Sequence, residues 1–197
     1  MKNIIIDIMK NMEKAYSSGH IKGIHSKIVD LIKYYIMKHS KIIIVRFDIR
    51  YPASYAEDGN NRDISACLAY VVKKYKRWGL DPCYIWVREQ HLSKHPHFHC
   101  ALLLNGQKVR AYVHVFRNVE EAWGRRLGCP VSGCINHCTS GGSPDYNGKM
   151  LRRDAGHEVY MDRLHDVLRQ LSYLAKTYTK ELECDGQRNF GCTQLPH

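Results

Sequence analysis

Two histidines, His97 and His99, flank Phe98 in a segment whose composition predicts a β-strand. Alternate residues of a strand lie on the same face, so the two imidazoles are expected side by side with Phe98 on the other face. At this spacing the pair can bind one divalent metal ion. Because a single histidine on a half-buried strand is more often a hydrogen-bonded core residue, a third ligand is needed to favour the metal site.

The preceding strand supplies a candidate third ligand. Residues 82–90 are predicted to form a strand that returns through a turn near Ser93 to a strand over 97–104. Opposed residues in an antiparallel hairpin have numbers of constant sum, so this turn places Glu89 opposite His97 on the same face. A register shift of one residue would remove it. Two imidazoles and one carboxylate with open positions suit Mg²⁺ or Mn²⁺ and could also hold Zn²⁺.

A tyrosine and a lysine form a second candidate group near the C-terminus. A helix is predicted over 163–180, and its periodicity places one stripe of residues on the core face: Leu164, Leu168, Leu171, Ala175 and Tyr178. Tyr173 falls on the opposite, polar side with Lys176, Thr177 and Lys180. A tyrosine hydroxyl is a poor nucleophile until its anion is stabilised, which Lys176 could do. Taken alone, Tyr173 is more simply an exposed tyrosine on a basic helix.

The charge balance indicates a polyanionic partner. Thirty Lys+Arg against nineteen Asp+Glu give a formal net charge of +11, which favours nucleic acid. The chain has no apolar run of about 20 residues that could span a bilayer, and Asp7 interrupts an N-terminal apolar stretch too short for a signal peptide. We therefore expect no membrane segment and a cytoplasmic protein, in which the eight cysteines are thiols or metal ligands rather than disulfides.

The order of predicted elements indicates an α+β fold with a central antiparallel sheet flanked by helices. Residues 1–39 are predicted as an N-terminal helical extension of two amphipathic helices broken near residues 17–19, and residues 40–197 as one domain. Strands are expected over 41–49, 82–90 and 97–104. Helices are expected over 63–78, with Asp63 as its N-cap, over 119–127 and over 163–180.

A cysteine-rich stretch offers a possible structural zinc site at Cys129, Cys134, His137 and Cys138. Its C-x4-C-x2-H-C spacing departs from the usual paired C-x2-C arrangement. Buried or loop thiols are therefore the favoured interpretation.

His97-Phe98-His99 resembles the histidine–hydrophobic–histidine motif of the HUH endonucleases, a superfamily of replication initiators, relaxases and transposases. The neighbouring segments 86–90 and 100–106 are similar to those of rolling-circle initiators, and Tyr173-Leu174-Ala175-Lys176 resembles their tyrosine motif. Residues 41–48 stand in the place of the first-strand motif. Together with residues 188–191, the pattern most resembles the inovirus gene-2-like replication proteins and the YagK/YfjJ-type prophage domain, from about residue 40 onward.

The resemblance implies a ferredoxin- or RRM-like sheet and specific roles for these residues. His97, His99 and Glu89 would hold the metal ion. Tyr173, assisted by Lys176, would attack the scissile phosphate and form a 5′-phosphotyrosine. Some relatives carry a second tyrosine four residues on, where this chain has Thr177, so a single-tyrosine enzyme is expected.

The implied partner is single-stranded DNA at an origin or hairpin. Arg46, Arg88 and Lys180 are the expected contacts, and a host replication helicase or polymerase is a possible further partner. The expected function is a single-strand nickase and strand transferase that initiates rolling-circle replication of a phage, plasmid or prophage element. Two alternatives stay open: a DNA-binding origin protein or repressor without nicking, which needs neither histidine, and a metal-dependent hydrolase, which does not need Tyr173.

Overall fold

The computed structural model describes residues 10, 21–58, 60–89, 93–109, 112–138, 148–176 and 188–196. The helices are α1 (Lys22–Lys38), α2 (Arg62–Arg77), α3 (Val113–Leu127) and α4 (His157–Ser172), with short 3₁₀ turns at Arg153–Ala155 and Tyr173–Ala175. The strands are β1 (Lys41–Arg50), β2 (Cys83–Glu89), β3 (His97–Asn105), β4 (Ile135–Asn136), β5 (Lys149–Arg152) and β6 (Phe190–Cys192).

The strands form one open antiparallel sheet in the order β4-β1-β3-β2-β6, with β5 pairing the first half of β1. The long strands β1, β3 and β2 occupy the centre, so β3 is bonded on both sides. The α+β prediction with helices flanking an antiparallel sheet is confirmed.

Each face of the sheet has its own core, because alternate residues point to opposite sides. On one face Phe47, Trp86 and Phe98 pack with residues of α2 and α3; we call this the α2/α3 face. On the other, Ile44 and Val87 pack with residues of α1 and α4; we call this the α1/α4 face. The predicted core positions of α1 are buried, namely Ile28, Leu31, Ile32 and Tyr35. The proposed boundary between residues 39 and 40 stays a prediction, although α1 shares this core with the sheet.

Three predicted helix limits were wrong. Helix α3 begins at Val113 rather than near residue 119. Helix α2 has Asn61 at its N-cap, and the buried carboxylate of Asp63 instead accepts hydrogen bonds from Tyr51 and Arg126. The Asp63 side chain is thus used in long-range hydrogen bonds and does not form the helix cap that the sequence predicted.

The third wrong limit concerns the tyrosine-bearing helix, which spans His157–Ser172 instead of 163–180. After the 3₁₀ turn the backbone of Lys176 is extended, with ψ of 137°. The carbonyl of Ala175 accepts a hydrogen bond of 2.7 Å from the amide of Ile21, a contact that periodicity cannot anticipate. Tyr178 and Lys180 lie outside the described residues.

Within the described ranges, no helix combines the length and the apolar content needed to cross a lipid bilayer.

Gly191 lets strand β6 approach the core closely. It pairs with Trp86, and a Cβ added at Gly191 would lie 2.6 Å from the indole. Since Trp86 is almost fully buried and cannot move aside freely, we expect Gly191→Ala to lower the free energy of unfolding by about 1–3 kcal/mol in urea denaturation.

Gly23→Ala is the matched control. It lies in α1, and its added Cβ would meet no atom within 4 Å. Because alanine favours helix, this variant is expected to be neutral or up to about 1 kcal/mol more stable. Equal stability of the two variants would show that Gly191 is not closely packed.

Candidate functional site

The predicted hairpin register is confirmed, since Glu89 is the partner of His97 across the β2–β3 ladder. Glu89 Oε2 lies 2.7 Å from His99 Nε2, and Oε1 lies 3.8 Å from His97 Nε2. One ligand atom from each of the three residues falls within 4.8 Å of the others. In the part of the chain that the structure describes, this is the one group of three or more such side chains that could hold a metal ion.

A second carboxylate orients His99. Asp48 on β1 is the Cα partner of His99, and its Oδ1 lies 2.7 Å from His99 Nδ1. Histidines that bind metals commonly donate their second N–H to a carboxylate, which fixes the tautomer and leaves the other nitrogen for the ion. Asp48 therefore directs Nε2 of His99 toward Glu89 and the candidate metal position.

Burial and charge act differently on the two histidines. Burial opposes protonation of His99, but its hydrogen bonds to Asp48 and Glu89 outweigh that effect and raise its pKa. For His97, burial and the adjacent His99 lower the pKa. Burial tends to raise the pKa of Asp48, yet its hydrogen bond to His99 and the nearby Arg46 bring it below its usual value. A cation between the carboxylates is thus favoured, whether a proton on His99 or a metal ion.

The 3₁₀ turn after α4 places Tyr173 against this cluster. Its ring centroid lies 5.8 Å from that of His99, with the rings perpendicular. Two cations lie near the same ring: the Arg46 guanidinium carbon at 4.4 Å and Lys176 Nζ at 4.6 Å from the centroid. The structure therefore brings together the predicted Tyr173, Lys176 and Arg46 with the predicted metal ligands.

Arg46 differs from an ordinary surface cation. Its side chain is 8% exposed, and its Nε is buried with no hydrogen-bond partner among the described residues. Buried donors are rarely left unsatisfied in folded proteins, and such positions commonly receive a ligand or water. The guanidinium is therefore suited to bind an anionic oxygen beside Tyr173.

Of the predicted DNA contacts, Arg88 lies away from this cluster. Arg88 is the Cα partner of Phe98 and lies on the α2/α3 face, 6% exposed, with Nη1 3.4 Å from Asn61 Oδ1. Lys180 is outside the described residues. In contrast, Arg50 at the end of β1 is exposed and opposite His97. A sequence signal could have identified these β1 residues: polar side chains stand at alternate positions of an otherwise apolar strand, at Arg46, Asp48 and Arg50.

The cysteine stretch gathers no metal site. Cys134 and Cys138 are buried, while His137 stacks on Phe116 with ring centroids 3.8 Å apart. Burial raises the pKa of the Cys138 thiol to about 12. Among the described side chains, no three of the four predicted zinc ligands come within metal-binding distance of each other.

We expect the chain to bind one Mn²⁺ ion, measured by isothermal titration calorimetry. His99→Ala and Glu89→Gln should abolish binding because each removes a ligand. Asp48→Asn should weaken it by about 10–100-fold, since the amide orients the imidazole less well and carries no charge. His157→Ala, an exposed histidine at the start of α4, is the control and should bind as the wild type does. Unchanged affinity in Glu89→Gln would exclude this site.

Comparison with known proteins gives a family but no activity. The chain matches the YagK/YfjJ C-terminal domain family over residues 5–193. It is 32% identical over 126 residues to YfjJ of Escherichia coli (strain K12), covering 56% of this chain and 54% of YfjJ, about half the length of that relative. It is 26% identical over 214 aligned residues to YagK of the same strain, covering 92% of this chain and 99% of YagK.

Both relatives are described as uncharacterized proteins. No solved structure matches the chain. Because the family match extends over nearly the whole sequence, this protein belongs to the YagK/YfjJ C-terminal domain family.

Proposed function

We propose that this protein is an HUH-type endonuclease: a metal-dependent single-strand DNA nickase and strand transferase with Tyr173 as its nucleophile. The observation that carries the proposal is the position of Tyr173, whose ring lies 5.8 Å from that of His99 in the candidate metal cluster. A tyrosine with two cations near its ring and a candidate divalent-ion site beside it is suited to attack a phosphodiester.

In the proposed reaction, the Tyr173 oxygen attacks the scissile phosphorus. A phosphorus–oxygen bond to tyrosine forms while the bond to the 3′ oxygen of the preceding nucleotide breaks. The products are a 5′-phosphotyrosine and a strand with a free 3′-hydroxyl. The tyrosine proton is released, and the departing 3′ oxygen gains a proton. A divalent ion held by Glu89, His97 and His99 would offset negative charge on the phosphate.

The two cations beside the ring have complementary roles in this proposal. Lys176 favours the phenolate, because an adjacent positive charge stabilises an anion. Arg46 offers its buried Nε and guanidinium group to a non-bridging phosphate oxygen. The low exposure of Arg46 strengthens its electrostatic interactions relative to those of a cation in water.

The biological role that fits this chemistry is initiation of rolling-circle replication of a phage, plasmid or prophage element. The free 3′-hydroxyl can prime synthesis, and the net charge of +11 suits a DNA partner. A host polymerase would be needed to extend the nicked strand, and a host helicase to unwind the duplex. With Thr177 in the second-tyrosine position, the enzyme would use one tyrosine nucleophile.

The first test looks for the covalent intermediate. A pool of random single-stranded oligonucleotides with a 3′-end label is incubated with protein and Mn²⁺, then separated in denaturing gels. The wild type should form a labelled protein–DNA adduct, because the 5′-phosphoryl fragment stays on Tyr173. Tyr173→Phe should form none, and EDTA should abolish the adduct.

Tyr34→Phe, on α1 and away from the cluster, is the control and should behave as the wild type does. Cleavage without an adduct would replace the proposal with a metal-dependent hydrolase. DNA that is bound but never cut would indicate an origin-binding or repressor protein.

The second test separates chemistry from metal binding. Arg46→Lys and Lys176→Met should slow adduct formation by about 10- to 1000-fold, since each removes a group that stabilises developing charge. Both variants should keep wild-type Mn²⁺ affinity, because neither changes a ligand. Arg169→Ala, an exposed arginine on α4, is the control. Unchanged rates in both site variants would remove these cations from the mechanism.

A further inference from the structure

A cleft lies far from the histidine cluster. It has a volume of about 630 Å³ and sits between the end of α2, the end of β3 and the start of α3. Leu104, in its wall, is at the opposite end of β3 from His97. At about 3.3 Å per strand residue, the two positions are about 23 Å apart. The cleft is therefore separate from the proposed active site.

Trp78 gives this cleft an exposed aromatic wall. Its side chain is 53% exposed, whereas the other two tryptophans, Trp86 and Trp123, are 2% and 0% exposed. Four large apolar side chains are exposed among the described residues, and Trp78 is the aromatic one; the others are Met37, Val113 and Val159. The buried ring of Tyr75 lies 5.5 Å from the indole at a tilt of 36° and packs against it. An indole at a cleft edge can stack on a planar ring.

Basic side chains line the same cleft. Lys108, His114 and Arg117 line the cleft and are exposed, and no acidic side chain lies among the described lining residues. Lys108 reaches the end of α2, because a Cβ added at Gly79, the residue after Trp78, would lie 2.7 Å from its Nζ. Lys74 Nζ lies 5.4 Å from the Trp78 ring centroid. The cleft thus combines a stacking surface with phosphate-binding groups.

The floor of the cleft is apolar except for Asn118. This buried side chain donates a hydrogen bond of 2.9 Å to the Tyr75 hydroxyl. Ligand sites commonly combine such an apolar floor with a few polar groups that fix orientation. A planar heterocycle with polar edges, attached to a phosphate, matches this arrangement in shape and charge.

We infer that this cleft binds a nucleobase of single-stranded DNA, with the base stacked on Trp78 and the adjoining phosphates near Lys108 and Arg117. Proteins that hold single strands pair aromatic stacking surfaces with basic grooves in this way. The choice of single-stranded DNA as the ligand rests on the proposed function, but binding in this cleft requires no cleavage. A strand held here and at Tyr173 would be fixed at two separate points, one on each face of the sheet.

The test uses the whole chain in EDTA, so that binding is measured without nicking. An oligothymidylate of about twelve nucleotides, within the usual site size for single strands, is titrated while tryptophan fluorescence is recorded. We expect quenching, because Trp78 is the tryptophan that is accessible to a base. Thymidine monophosphate at the same nucleotide concentration should quench far less.

Variants are compared by the fluorescence anisotropy of a labelled oligothymidylate. Trp78→Ala should weaken binding by about 5- to 150-fold, the loss expected for one stacked base. Trp78→Phe should restore part of the affinity. Lys108→Ala and Arg117→Ala should each weaken binding and lower the salt dependence by about one counterion.

Val159→Ala and Arg169→Ala, exposed positions on α4, are matched controls and should bind normally. Wild-type affinity in Trp78→Ala would overturn the inference, as would full quenching by the mononucleotide alone, which would indicate a free-nucleotide site. Loss of the covalent adduct reports on Tyr173, and loss of Trp78 quenching reports on this cleft. Each proposal can therefore fail while the other stands.

Discussion

The imidazole of His99 is held at both nitrogens by carboxylates from the two neighbouring strands. Asp48 on β1 accepts from one side and Glu89 on β2 lies at the other, each 2.7 Å from a ring nitrogen. This arrangement exists only when β1, β3 and β2 are paired in one particular register, because a one-residue shift would send either carboxylate to the opposite face. The apolar residues further along the same strands fix that register through burial on two faces.

The site therefore occupies the end of a face whose remainder is hydrophobic core. On the α1/α4 face, the same strands that carry Ile44 and Val87 continue into the polar row of Arg46, Asp48, His99 and Glu89. Burial in this position makes each unpaired charge costly, so the polar groups are arranged as partners of one another. A rigid sheet gives a metal or phosphate site more precise geometry than a loop can.

The sequence predicted the local parts of this arrangement and missed the non-local ones. Strands β2 and β3 are close in the sequence, so counting from Ser93 was enough to place Glu89 opposite His97. The pairing of Asp48 with His99 joins residues far apart in the chain, and no turn geometry could set its register. Its trace in the sequence was the alternation of Arg46, Asp48 and Arg50, from which Arg46 was expected to contact DNA but no partner for His99 could be identified.

The surroundings of Tyr173 were also predicted only in part from the sequence. Periodicity identified the buried leucines of α4, but it continued the helix past Ser172, so the predicted polar helix face for Tyr173 does not exist. Arg88 was expected beside the DNA because of its charge, yet strand alternation alone puts it on the face opposite the histidines. The net charge predicts a polyanionic partner for the whole protein. Whether an individual cation on a strand reaches the candidate metal cluster depends on the face of the sheet on which it lies.

The hydrogen bond from the Ile21 amide to the Ala175 carbonyl couples the tyrosine turn to the segment that leads into α1. The candidate metal ligands lie on the sheet, whereas Tyr173, the proposed nucleophile, is carried by a turn that is bonded to an element from the other end of the chain. A displacement of α1 would therefore move Tyr173 without moving the histidines, so that metal binding and the position of the tyrosine can change independently.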